Sequence, residues 1–195
     1  MRVTTVPDMS ANSRQYTRAL YLLDAVARRV PADAWDNPSC CEGWTAREVA
    51  GHASWVIRNV GAATGNMAAP EPQAEAEVAG ADPAATVSAA VAATLEALDQ
   101  QGALQLVAST PFGEMPVDSF IGTIWVDALT HAWDIADAAG IDHGIDPATA
   151  DAAYETLAPI SELLRGPGRF DDPIDVAEDA VARFIGFAGR TSVRA

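Results

Sequence analysis

The sequence predicts an all-α fold: four long helices in a bundle, additional C-terminal helices, and a short extended segment before the fourth helix. Three observations predict it. Apolar residues recur at spacings of three and four in successive stretches. Cap signals head those stretches, with T-A-R-E at 45–48 and D-P at 82–83 and 146–147. Strand-like alternation is confined to a few residues near 104.

The first helix is expected over about 13–30, with Tyr16, Leu20, Leu23, Ala27 and Val30 on one stripe and Pro31 as its stop. Residues 31–44 read as a loop with one short turn. Thr45 and Glu48 form a capping box that opens the second helix, whose core stripe is Val49, Ala53, Val56 and Val60. Residues 66–82 are rich in Ala, Pro and Glu without helical period and read as a solvated surface loop. Asp82 and Pro83 are an N-cap and first-turn proline for the third helix, which carries Val87, Val91, Thr94 and Leu98 toward Gly102 as a C-terminal cap. Residues 104–116 read as an extended segment or hairpin. The fourth helix, from near Asp118 to Gly140, is apolar almost all round and is therefore expected at the centre. Asp146 and Pro147 start a fifth helix with Tyr154, Leu157, Ser161 and Leu164 on one stripe and a kink at Pro159. Residues 166–173 read as a loop, and a final helix with Val181, Phe184, Ile185 and Ala188 ends at Gly189. One domain over 1–195 is expected, with its core bundle at about 10–140 and C-terminal helices at about 146–190.

Composition narrows the function. A hydrophobic fraction of 49% is enough for a core. No apolar run reaches the length of a membrane span, and the first ten residues have no apolar signal region, so a cytoplasmic location is expected. A net charge of −15 opposes binding to nucleic acid or an anionic membrane. Cys40 and Cys41 are adjacent and read as reduced thiols, because neighbours rarely meet disulfide geometry.

Three polar residues occupy positions where the helical period calls for apolar ones. His52 lies three after Val49 and four before Val56. On the fourth helix the stripe runs Phe120, Ile124, Asp127, His131, Ile135, Ala138. Asp127 and His131 stand one turn apart on one face. A buried carboxylate is costly unless it is paired, protonated or bound to a cation. Two His and one carboxylate suit a borderline divalent ion and leave a coordination position open. Periodicity alone leaves a second reading open, in which Asp127 pairs with His131 and His52 caps a carbonyl. A di-iron site is disfavoured, since no other helix has the required carboxylate–histidine pair. Asp134, three after His131, is either an acceptor for the imidazole or an exposed helix residue. Trp55, Trp125 and Trp133 read as core, with pocket walls as the alternative. Thr45 to His52 rises about 10 Å along the helix axis, so Cys41 is expected as a packed loop thiol outside the His52 ion shell. His143, between Asp142 and Gly144, reads as exposed.

Four segments together carry a resemblance: C-E-G-W-T-A-R-E-V-A-G-H at 41–52, T-P-F-G-E-M-P at 110–116, D-A-L-T-H-A-W-D-I-A at 127–136 and F-I-G-F-A-G-R at 184–190. The chain resembles the DinB-like superfamily, and within it the mycothiol-dependent maleylpyruvate isomerase N-terminal domain group of actinobacterial proteins. The resemblance implies a DinB-like four-helix bundle with one divalent metal, held by His52, Asp127 and His131. The isomerase has Glu at the acidic position, where this chain has Asp127. It also carries a further C-terminal domain, for which 195 residues leave no room. The implied ion is zinc, with nickel, iron and manganese as alternatives, and the implied co-reactant is a low-molecular-weight thiol.

The resulting expectation is a thiol-dependent, mycothiol-type isomerase or S-transferase acting on a small electrophilic substrate. Two other functions remain open. One is a metal-dependent hydrolase. The other is a non-catalytic bundle stapled by metal, or a partner-binding module. A homodimer is compatible with each.

Overall fold

The computed structural model describes residues 9–165, 170–174 and 179–194, without the side chains of Leu163 and Leu164. Its main elements are helices α1 (Ala11–Ala27), α2 (Ala46–Ala62), α3 (Glu75–Ala79) and α4 (Pro83–Leu98), strands β1 (Val107–Thr110) and β2 (Gly113–Pro116), and helices α5 (Val117–Ala139), α6 (Pro147–Leu157), α7 (Ser161–Leu164) and α8 (Ala180–Phe187). The fold is mostly helical. No described helix is long and apolar enough to cross a membrane.

The four long helices pack in pairs: α1 on α5, α2 on α4, α2 on α5 and α1 on α4. The apolar residues that circle α5 explain its central place, with Ile121, Trp125, Leu129 and Ile135 all buried. The α1 stripe is buried from Tyr16 to Ala27. At the head of α2, Glu48 accepts from the Thr45 backbone amide at 2.6 Å, the reciprocal contact of a capping box. Asp82 and Asp146 cap α4 and α6, each followed by proline at the first turn.

Three local expectations change. The stretch expected as a solvated loop contains α3, which packs on α2. Five residues of Glu, Ala and Val carry no readable period. The helix is held by docking: Gly51 of α2 has no Cβ, and one added there would stand 1.9 Å from the Glu75 carbonyl oxygen. Gly102 is not the cap of α4, which ends on Asp99; its φ of +83° instead heads the next short turn. Val56 belongs to a cleft wall, half-buried, rather than to the core.

The segment at 104–116 forms the hairpin, with Val107 opposite Pro116 and Thr110 opposite Gly113. The helix interruption at Pro159 is a 3-10 turn between α6 and α7. α8 packs on α6, where Tyr154 and Phe187 meet edge to face at 5.0 Å. Gly189 follows α8 with φ +76°. After it the chain is tied to α5, where Asp137 accepts from the Ser192 hydroxyl at 2.6 Å and the Val193 amide at 2.8 Å. Residues 166–169 of the expected 166–173 loop, and the Leu164 side chain, lie outside the described residues.

Candidate functional site

A cleft of about 980 Å³ opens between α2, α5 and the hairpin. His52, Asp127 and His131 all line it. His131 is only 4% exposed, whereas the Asp127 side chain is 22% exposed. The two imidazoles meet edge to face with centroids 5.2 Å apart, and Trp44 lies against His52 at 4.9 Å. The helical period thus does what it predicts, bringing the three residues to one space.

His131 Nε2 lies 3.6 Å from Asp127 Oδ1. Its Nδ1 is held at 2.9 Å by Asp134 Oδ2. Asp134 is fully buried, which excludes the exposed alternative. It also accepts from Arg190 Nε at 3.1 Å, and both thiols of the 40–41 pair point at it. Cys41 lines the cleft. Cys41 is a packed loop thiol, as expected, and it also forms part of the cleft wall beside His131. Among the tryptophans, Trp55 borders the cleft, Trp125 is core and Trp133 is half-buried against the core. His143 is half-buried rather than exposed, with Nδ1 accepting from the Ile145 amide at 3.0 Å.

The electrostatics follow from this geometry. Burial pushes the His52 imidazole down to about 4, and charge on His131 adds to that. Burial also opposes charge on His131, but Asp127 and Asp134 outweigh it and raise the group to about 9. For Asp134 burial acts upward, yet Arg190 and His131 outweigh it and hold the carboxyl at about 2. The thiols divide: a hydrogen bond with Cys41 and burial push Cys40 up, and that same hydrogen bond draws Cys41 down.

The donor types fit a divalent ion. Two ligand atoms about 2.0–2.1 Å from a tetrahedral ion stand about 3.3–3.4 Å apart. The 3.6 Å between His131 and Asp127 is close to that. His52, neutral at pH 7 with its pKa near 4, would be the third donor, from the facing helix. It stands farther out: among the described residues, the set whose ligand atoms all fall within 4.8 Å of one another is Cys40, Cys41 and Asp134.

Two residues of the site escape sequence reasoning. Arg190 reaches Asp134 across 56 positions, and its signal is faint: a basic residue directly after the helix-stopping Gly189. A Cβ on Gly189 would stand 2.6 Å from the Asp171 carbonyl oxygen, so glycine is what lets the chain turn Arg190 inward. Cys41 is the other, since only the bend before α2 brings it to the cleft.

Comparison with known proteins follows the same pattern. The crystal structure of the mycothiol-dependent maleylpyruvate isomerase is similar at a TM-score of 0.52 and 20% identity, over 77% of this chain and 72% of that one, which speaks for the fold alone. Two proteins of Mycobacterium tuberculosis, from strains CDC 1551 and H37Rv and each described as uncharacterized, are 31% identical over 183 residues, 90% of this chain and 96% of theirs. The sequence profile of the mycothiol maleylpyruvate isomerase N-terminal domain matches residues 16–136, a stretch that includes His52, Asp127, His131 and Asp134 but not Arg190. The chain therefore belongs to the mycothiol maleylpyruvate isomerase N-terminal domain family.

Proposed function

We propose that the protein is a metal-dependent enzyme of thiol chemistry, an isomerase or S-transferase that uses a mycothiol-type cofactor on a small electrophilic substrate. One observation carries the reading. His52, Asp127 and His131 border a single cleft, and His131 is turned to face it by a buried carboxylate. The residues that would hold the ion are those three, and zinc suits their donor types. When bound, such an ion supplies a Lewis acid that favours the thiolate form of a thiol at neutral pH.

The chain's own residues do the rest. Asp134 accepts Nδ1–H of His131 and so turns Nε2 toward Asp127 and the cleft, where a bound ion would take the place of the Nε2 proton. Arg190 balances the charge that Asp134 buries. Trp44, Phe112 and Phe120 wall the space where a thiol and an unsaturated carbonyl would meet, and they limit water there. The expected setting is the cytoplasm, with its reduced thiol pool.

The test is elemental analysis of untagged protein together with a turnover assay. Wild type carries divalent metal and turns over an electrophile such as maleylpyruvate only with mycothiol, and His131→Ala loses about one equivalent of metal together with the turnover. Metal without thiol binding or turnover would favour a stapling ion instead. Wild type and variant equally free of metal would return the site to a buried polar network.

A further inference from the structure

We propose that Cys40, Cys41 and Asp134 form a second cation site, rich in sulfur, that takes a thiophilic divalent ion of the zinc or cadmium kind. It is separate from the site at His52, Asp127 and His131 and does not rest on that reading.

The backbone prepares it. In an extended chain, neighbouring side chains point to opposite sides. Here the bend before α2 turns both thiols to one carboxylate. The bend is tied from within: the Ser39 amide donates to the Trp44 carbonyl at 2.9 Å, and the Trp44 amide to the Cys41 carbonyl at 2.9 Å. The thiols are thus placed by the fold before any ion arrives.

The separations are those of ligands. Sulfur at about 2.3 Å and carboxylate oxygen at about 2.0 Å from a tetrahedral ion stand about 3.5 Å apart. Cys40 Sγ lies 3.1 Å from Asp134 Oδ1, and Cys41 Sγ lies 3.5 Å from Asp134 Oδ2. All three ligand atoms fall within 4.8 Å of one another.

The charges close as well. Two thiolates and the carboxylate carry three negative charges, Arg190 at 3.1 Å returns one positive, and the charge on His131 is matched by Asp127 at 3.6 Å. A divalent ion neutralises the remainder. If the pair served only to satisfy Asp134, hydroxyls would serve better, since S–H is a weak donor. Cys41 borders the cleft, so a fourth position faces space that water or a ligand's sulfur can enter. His131 separates the two sites, with Nδ1 on Asp134 and Nε2 toward Asp127. Binding converts both thiols to thiolates and releases two protons to solvent.

The experiment uses the full chain, reduced and stripped of metal, titrated with cadmium while the sulfur-to-cadmium charge-transfer absorption is followed. Wild type should show a saturable band, complete within two equivalents because the histidine site competes for the ion, with both thiols protected from iodoacetamide. Cys40→Ser and Cys41→Ser should each weaken that binding at least tenfold, and the double variant should lose the band. His52→Ala should keep it. The idea fails if wild type shows no band, if both thiols alkylate at the metal-free rate, or if the band is lost in His52→Ala. The wild-type measurements decide even if a cysteine variant does not fold.

Discussion

His131 gives its Nδ1 to Asp134 at 2.9 Å, one turn along α5, and that contact aims Nε2 at Asp127. The same carboxylate receives Arg190. Asp134 therefore orients a candidate ligand and neutralises a buried cation at once. Removing one member of a buried pair leaves the other uncompensated, a loss of about 3–5 kcal/mol. Asp134→Asn should lower unfolding free energy by about that amount in urea titrations. It should also weaken metal binding about 10–100-fold, the usual effect of losing such a partner. Wild-type stability in the variant would show that the pair adds nothing to the fold.

The two histidines pull stability in opposite directions with pH. His131 is raised from 6.5 to about 9, so its contribution is complete below pH 6.5 and is lost as pH rises through 9. His52 is lowered from 6.5 to about 4, so its contribution is complete above pH 6.5 and is lost as pH falls through 4. Metal-free protein should thus melt highest near pH 6.5, where neither loss has begun. His131→Gln should flatten the alkaline limb, and His52→Gln the limb between 6.5 and 4. Scanning calorimetry across that range with chelator present reads both limbs. Unchanged limbs in the variants would assign the dependence to other groups.

Much of this arrangement is legible in the chain, and the illegible parts share a physical cause. His52, Asp127 and His131 are visible because polar residues interrupt apolar stripes. Asp134 is visible through its spacing from His131, although spacing does not reveal its full burial. Arg190 and the cysteine pair come to the same carboxylate by tertiary routes, one through a glycine turn after α8 and one through a bend before α2. No local period records such a route. α3 is hidden for a related reason: its helicity comes from docking on α2, and the cue lies at Gly51, in another element.

That docking makes Gly51 sensitive. Alanine there would place Cβ 1.9 Å from the Glu75 carbonyl oxygen, a backbone atom that cannot rotate away. Overpacking of this kind costs about 1–3 kcal/mol or more. Gly51→Ala should lower the melting temperature, and hydrogen exchange should quicken first in residues 75–79, where α3 lifts away. A second effect follows from sequence adjacency. His52 is the next residue on α2, so metal retention should fall as well. Protection over 75–79 equal to wild type would mean that the two helices do not need this close approach.

Gly189 controls the other side of the site. It holds φ at +76°, and its missing Cβ would stand 2.6 Å from the Asp171 carbonyl oxygen. An L side chain in that conformation costs about 1–2 kcal/mol before the contact is counted. Gly189→Ala should therefore destabilise the chain and, by moving the next residue, draw Arg190 off Asp134. The coupling distinguishes this from plain backbone strain. If Gly189 acts through Arg190, the double variant Gly189→Ala with Asp134→Asn should lose less than the sum of the two single losses, because each removes the same ion pair. If the losses add, glycine is needed only for the turn and Arg190 finds Asp134 without it. Urea unfolding of the four proteins in the cycle measures the difference directly.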